Sequence, residues 1–153
     1  MAVRIDRVTL SAPSPSEVRH DAGEGDWLMV QAVGPLGLVP SLVESTDTPE
    51  QVLGRHMAAD NQRRSGAGAE APVVSAQAPA AAGWPARAAQ RVGGSDLVLY
   101  YARPAGAGRQ VMVRVVDHGE QEVSPLVRGE VLRLLASLRV DGEPGAPGVQ
   151  SGR

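Results

Sequence analysis

Residues 95–117 read SDLVLYYARPAGAGRQVMVRVVD, two β-prone segments on either side of a loop that contains two glycines. Alternation of apolar and other residues around a short glycine-containing loop, here 104–108, is typical of an antiparallel hairpin. The sequence therefore predicts paired strands at 95–103 and 109–117. One face of this hairpin is formed by apolar side chains at every second position: Leu97, Leu99, Tyr101, Val111, Val113 and Val115.

The segment after the hairpin has the periodicity of a helix. Ser124 supplies a cap and Pro125 a first helical residue. A stripe of apolar residues at helical spacing has to be buried, so we expect this helix to pack on the sheet. The stripe consists of Val127, Val131, Leu134, Leu135 and Leu138.

A second helix is predicted upstream, over residues 49–64. Thr48 and Gln51 have the spacing of a capping box, and Pro49 occupies the first helical position. The helix should end at the glycine-containing break at 65–68. One of its faces carries Leu53, His56, Met57 and Asp60.

The remaining strands are predicted from short apolar runs. The alternation slips between Asp6 and Val8, which predicts a bulge or a strand end. Pro40 predicts that its strand lies at a sheet edge or a bulge. Proline, serine, glycine and charge predict a long loop over 11–26. The predicted strands are 3–10, 27–33, 36–44, 71–78 and 86–92.

The order of these elements favours an α+β fold. Two helices for about seven strands are too few for a doubly wound parallel sheet. We expect one domain over 1–140, with an antiparallel β-sheet of about six to seven strands and two main helices packed on it. The glycine- and proline-rich segment 141–153 is predicted to be a disordered C-terminal tail.

The composition excludes several kinds of chemistry. The chain has 153 residues, no cysteine, and arginine as its only basic residue type apart from histidine. It therefore has no thiolate metal site, no cysteine nucleophile, no Schiff-base lysine and no Walker-type lysine. A formal charge of −2 and a total of two tryptophans and two tyrosines give no general attraction for nucleic acid. We expect no cofactor.

The sequence predicts neither a membrane span nor a signal peptide. No stretch approaches the length of an apolar membrane span. The first ten residues, MAVRIDRVTL, carry charges where a signal peptide would have its apolar run. We therefore expect a cytoplasmic protein.

The order and spacing of the elements over residues 27–140 resemble the PsbP/DcrB/LpqN-like superfamily. Members of this family have an antiparallel sheet flanked by helices, a Gly-x-Pro-Ala segment that opens a strand, and a final Leu-x-Ser-Leu/Phe-Arg signature. Here residues 83–87 read GWPAR and residues 134–139 read LLASLR. The opening strand departs from the family, because it lacks the usual aromatic entry.

The resemblance implies a role without catalysis. Family members are lipoproteins, accessory factors of larger assemblies, small-GTPase binders, or cytosolic adaptor chaperones that pass effectors to secretion machines. This chain lacks the lipobox cysteine of the lipoproteins. We expect a non-enzymatic accessory, adaptor or chaperone-like protein of a secretion or envelope system. It would bind a protein partner or client, and a homodimer is a further expectation.

The candidate partner-binding residues are aromatic and basic. An exposed Trp84 beside a tyrosine would be an interface anchor, whereas a buried Trp84 would cap the core, which is the commoner state of tryptophan. Arginines could receive an acidic partner, or they could be ordinary solvated charges. The candidates are Trp84, Arg87, Tyr100, Tyr101, Arg103 and Arg114.

The alternative is a small-molecule-binding domain or a small hydrolase that uses His20, His56 or His118. His56 and Asp60 are four residues apart and can meet on one helix face. The other two histidines have an aspartate directly beside them in sequence, and adjacent strand residues point to opposite faces. Two ligands do not form a metal site, so none is predicted.

Overall fold

The computed structural model describes residues 2–20, 25–31, 36–66, 78–92, 96–118 and 123–143. These residues form two helices and nine strands in two antiparallel sheets, so the fold is α+β, as expected. The strands are β1 Ala2–Ile5, β2 Val8–Ser11, β3 Ser16–Arg19, β4 Trp27–Val30, β5 Leu36–Glu44, β6 Ala86–Val92, β7 Asp96–Pro104, β8 Arg109–His118 and β9 Arg139–Val140. The helices are α1 Pro49–Gly66 and α2 Pro125–Ser137.

The larger sheet has six strands in the order β3-β4-β5-β8-β7-β6. Its centre is the predicted hairpin, now β7 and β8, with Leu99 paired to Val115 and Tyr101 to Val113. The strands predicted at 36–44 and 86–92 are confirmed as β5 and β6. The strand predicted at 27–33 is confirmed over Trp27–Val30 as β4, and residues 32–33 lie outside the described residues. For the strand predicted at 71–78, residues 71–77 lie outside the described residues.

The N-terminal segment does not join this sheet, as a single-sheet fold would require. It forms the hairpin β1–β2 and, with β9, a separate three-stranded sheet. The predicted strand end between Asp6 and Val8 is confirmed. Asp6 has a φ of 54°, a left-handed conformation that aspartate tolerates better than most residues in a tight turn.

Two local predictions were wrong. The segment 11–26 is not all loop, because β3 lies within it and pairs with β4. β5 is not an edge strand, because β4 and β8 lie on either side of it. Its described pairing with β4 ends at Leu38, however, so Pro40 has a paired neighbour only on the β8 side. A proline is tolerated at such a position because no ladder bond is required of its nitrogen.

The six-stranded sheet is covered on both faces by different layers. α1 packs against β6, β7 and β8 on one face. α2 and the three-stranded sheet cover the other face, where most of the core lies. Both helix starts are as predicted: Thr48 and Gln51 exchange side-chain to backbone hydrogen bonds at 3.0 and 3.2 Å, and Ser124 Oγ accepts from Val127 N.

The predicted disordered tail begins too early. Residues 141–143 form an ordered turn in which Glu143 is buried and Asp141 N donates to Arg7 O. Residues 144–153 lie outside the described residues. Of the two described helices, neither is long and apolar enough to cross a membrane.

Candidate partner-binding site

Trp84 is buried, as its residue type favours. Its indole Nε1 donates to Leu135 O at 3.2 Å, which fixes the ring against the end of α2. Tyr101 meets the ring edge-on at a centroid distance of 6.4 Å, and the Arg103 guanidinium lies 4.9 Å above its centroid. With only 5% of its surface exposed, Trp84 caps the core rather than anchoring a partner.

Arg103 joins the larger sheet to the C-terminal turn. Its two terminal nitrogens donate to Glu143 at 2.5 and 3.0 Å, and one of them also reaches Leu138 O. Burial alone would raise the pKa of Glu143, but hydrogen bonds from Arg103 and from Val140 N outweigh it and hold that pKa below its usual range. This pair is therefore a structural clamp.

The two adjacent tyrosines point to opposite faces of the sheet. Tyr101 donates its hydroxyl to Pro79 O at 2.7 Å, and burial raises the pKa of its phenol. Tyr100, on the α1 side, donates to Asp60 Oδ2 at 2.7 Å and accepts from Gln90 Nε2 at 2.9 Å. Neither ring is exposed.

Arg114 completes a buried polar cluster beneath α1. Its Nη1 lies 3.2 and 3.3 Å from the two carboxylate oxygens of Asp60, and burial lowers the pKa of its guanidinium. We call Asp60, Gln90, Tyr100 and Arg114 the Asp60 network. The sequence placed Asp60 on one helix face with Leu53 and Met57, but it did not predict the contacts with Tyr100 and Arg114 of the sheet.

The candidate set predicted from the sequence is therefore not one binding surface. Three of the candidates are buried, and the polar atom of each donates a hydrogen bond inside the fold, which removes the cost of burying it: Trp84, Tyr100 and Tyr101. The side chains of Arg103 and Arg114 are only 13% and 15% exposed, and each arginine forms an ion pair within the fold. Arg87 alone of the six is exposed, on the edge strand β6.

The three histidines lie on different elements. His20 follows β3 and its Nδ1 lies 2.6 Å from Asp26 Oδ1, whereas Asp21 is outside the described residues. His56 is on α1, and His118 ends β8. Among the described residues, no group of three histidine, aspartate or glutamate side chains is placed to hold a metal ion.

A pocket of about 520 Å³ opens on the outer face of the three-stranded sheet. Outward-pointing side chains of β1, β2 and β9 form its floor, and the end of α2 forms one wall. β2 extends beyond the end of β9, and at that point the Ser137 side chain takes the place of a strand partner, because its Oγ accepts from Ser11 N at 2.9 Å. We call this the arginine pocket. Its lining is Ala2, Arg4, Thr9, Leu10, Ser11, Ser137, Arg139, Val140, Asp141 and Gly142.

Three arginines, Arg4, Arg7 and Arg109, act on Asp141 at the rim of the arginine pocket, while the Arg139 guanidinium donates to Ala136 O and Leu138 O. Arg4 forms an ion pair with the Asp141 carboxylate, Arg109 Nη2 donates to the Asp141 carbonyl oxygen at 2.7 Å, and Arg7 O accepts from the Asp141 N–H. Arg139 lies two residues before it. The hydrogen bond from Arg4, with the charges of Arg7 and Arg109, holds the pKa of Asp141 below its usual range.

The arginine pocket has an excess of positive charge. Arg4 is matched by Asp141, but within the described part of the chain no carboxylate lies within ion-pair distance of Arg7, Arg109 or Arg139. Guanidinium groups bind carboxylates and phosphates through paired N–H donors. Three hydroxyl side chains in the lining add further hydrogen-bonding groups. The pocket is suited to an anionic group carried on a larger molecule.

Sequence reasoning missed this site because its members come from opposite ends of the chain. Arg4 and Asp141 are 137 residues apart and meet only through the β1-β2-β9 pairing. A partial signal was present: Arg4 alternates with the apolar Val3 and Ile5, which predicts an outward-facing arginine on β1. Asp141 and Gly142 were assigned to the predicted disordered tail 141–153, so they were not among the candidate site residues.

Comparisons with known proteins identify no family. No protein-family model matches the sequence, and no curated protein matches it. A crystal structure from Bacteroides thetaiotaomicron VPI-5482 aligns with 88% of this chain and 45% of its own, with a TM-score of 0.49 and 10% sequence identity. The chain thus spans less than half the length of that protein.

Proposed function

We propose that this chain is a non-enzymatic accessory protein, of the adaptor or chaperone-like kind, that binds a protein partner at the arginine pocket. The observation that carries the proposal is the excess of arginine around Asp141. Arg4 and Arg139 line a concave surface that also carries hydroxyl groups, and Arg109 lies beside it on Asp141 O. Neither Arg109 nor Arg139 has an ion pair among the described residues. Such a surface complements an acidic segment of a partner and speeds its encounter.

The chemistry of the buried charges also favours binding over catalysis. Three groups with a shifted pKa, Arg114, Tyr101 and Glu143, lie in structural contacts, and the shifts of Arg4 and Asp141 at the arginine pocket come mainly from the ion pair that they form with each other. The predicted resemblance to the PsbP/DcrB/LpqN-like superfamily is consistent with an adaptor, and we retain it as part of the proposal. A secretion or envelope system is the proposed context.

The test is the binding of a fluorescently labelled, glutamate-rich peptide, followed by polarisation. We expect the peptide to bind, and a matched glutamine-rich peptide to fail. Arg139→Glu should weaken binding about tenfold, which corresponds to roughly 1.4 kcal/mol. Binding should also weaken as salt is raised, because the charges are solvent-exposed.

Arg87→Glu is the matched control, because it reverses the charge of an exposed strand arginine away from the arginine pocket. It should leave binding unchanged. Equal loss in both variants would show non-specific attraction and contradict the proposal. Tighter binding of a single-stranded oligonucleotide than of the acidic peptide would assign the surface to nucleic acid instead.

The proposal includes a cytoplasmic location, as the sequence predicts. Fractionation of the native cells followed by detection of the chain checks this point. Recovery in the membrane or the exported fraction would contradict it, and would move the proposed partner to that compartment.

A further inference from the structure

β3 is the outer strand of the six-stranded sheet, and its backbone polarity can be worked out. It pairs with β4, and no described strand pairs with its other side. Gln31 N donates to Pro15 O at 3.0 Å, so residue 15 directs its carbonyl group toward β4. Because successive residues of a strand direct their backbone groups to opposite sides, Ser16 and Val18 direct theirs to the open edge.

The side chains of β3 are complementary to those of a second, antiparallel β3. Glu17 and Arg19 lie on one face of the strand, half exposed and 2.9 Å apart, and Val18 packs at the rim of the core on the other face. If Val18 pairs with Val18 of another copy, Glu17 of each copy lies directly opposite Arg19 of the other copy, so two Glu–Arg pairs form. Opposite charges in directly paired positions stabilise a strand pair.

The neighbouring surface on the same face is apolar apart from Gln31, whose Nε2 donates to Glu17 Oε1 at 3.3 Å. Trp27 pairs with Arg19 and Met29 with Glu17 in the register of β4, and both are only partly buried. A Cβ at Gly37 would lie 3.3 Å from the Trp27 ring, so the ring lies close over that glycine. α1 packs farther along the sheet, on β6, β7 and β8. Tryptophan and methionine are enriched in protein interfaces.

We propose that two copies of this chain associate through antiparallel pairing of their β3 strands, centred on Val18. Strand addition of this kind satisfies the outward N–H and C=O groups of Ser16 and Val18. The two six-stranded sheets become continuous across a two-fold axis, with an isologous interface. Trp27 and Met29 of each copy then flank the two intermolecular ion pairs. This surface is separate from the arginine pocket, so either proposal can fail alone.

The test uses two single charge reversals and their mixture. Glu17→Arg places two arginines opposite each other in the homodimer, and Arg19→Glu does the same with two glutamates. Each variant should dimerise at least tenfold more weakly than the wild type in sedimentation equilibrium, from low to several hundred micromolar. An equimolar mixture should recover the dimer, because every opposed pair is then Glu with Arg.

Asp47→Arg and Arg55→Glu are the matched controls, because they reverse another half-exposed ion pair away from β3. They should leave the dimer intact. A wild-type chain that stays monomeric over the whole range overturns the proposal, and so does a dimer that neither reversal weakens.

A measurement on the wild type does not depend on variants that fold. Hydrogen exchange at Ser16 and Val18 N–H should slow as the protein concentration rises, because these groups become bonded only in the dimer. The amides of β6, the other outer strand of the sheet, should not change. Exchange at Val18 that is independent of concentration overturns the proposal.

Discussion

The two faces of the six-stranded sheet are built from alternate residues of the same strands, yet they hold their helices by different means. On one face, Leu99, Val113 and their neighbours meet the apolar stripe of α2 and the three-stranded sheet. On the other face, α1 contributes the buried Val52 and Leu53 but also the carboxylate of Asp60, which enters the Asp60 network.

The two helices are therefore specified in different ways. Apolar burial is non-directional and grows with the area removed from water, so α2 is held by the amount of surface it buries. Hydrogen bonds and ion pairs require particular distances and angles, so α1 is held in one register by Asp60. The predictions below change one kind of contact at a time.

The largest effect is expected for Leu134→Ala, on the α2 side. Leu134 is fully buried, and its truncation should lower the free energy of unfolding by about 3–5 kcal/mol through lost transfer energy and a residual cavity. Denaturant unfolding followed by circular dichroism measures this loss. Leu126→Ala, at a 62% exposed position of the same helix, is the control and should change little.

An intermediate effect is expected for Asp60→Ala, on the α1 side. Removal of the carboxylate takes a counter-charge from the part-buried Arg114 and an acceptor from Tyr100. The loss should be about 2–3 kcal/mol, below that of a fully buried pair because Arg114 keeps some exposure.

The double variant Asp60→Leu/Arg114→Met sharpens the comparison. The stability lost in Asp60→Ala includes the cost of burying Arg114 without the Asp60 carboxylate. If that cost is the main part of the loss, replacing both partners with apolar residues should recover most of the lost stability. No recovery would show that the polar contacts contribute more than apolar packing can replace at this site. Thermal and denaturant unfolding of the single and double variants separate these outcomes.

The smallest effect on stability is expected for Glu143, which is hydrogen-bonded to Arg103 and Val140 N on the α2 side of the sheet. Its pKa is held below the ordinary value of 4.5, so its contribution is present above that pH and is lost as the pH falls through the lowered pKa. Glu143→Gln removes the charge but keeps an acceptor oxygen for Arg103 and Val140 N, so it should destabilise the protein at neutral pH by about 1 kcal/mol. The difference from the wild type should vanish in acid. Glu44→Gln, at an exposed site, should show no such dependence.

The parts of this fold that the sequence predicts are those with local patterns. Alternation predicted β7 and β8, and the i, i+4 stripe predicted α2, because each pattern lies within one element. β3 was missed because Val18 is its only apolar residue and prolines precede it. Pairing with β4, and not its own composition, makes that segment a strand.

The candidate site was predicted less well, for the same physical reason. Residue type identified aromatic and basic side chains, but whether each is exposed depends on partners elsewhere in the chain. Trp84 is buried because Leu135 O accepts its N–H, and Tyr100 because Asp60 accepts its hydroxyl. The arginine pocket depends on contacts between the two ends of the described chain, which no local pattern contains.

The three-stranded sheet has a consequence for how the chain folds. β2 pairs with β9 across some 130 residues, as Val8 meets Val140, and contacts of such sequence separation form late. During synthesis, the β1–β2 hairpin leaves the ribosome before α2 and β9, so its Val3, Ile5 and Leu10 are made before the elements that cover them. A nascent chain paused ahead of α2 would therefore display the apolar face of this hairpin, which is a surface that a holding chaperone can cover during synthesis.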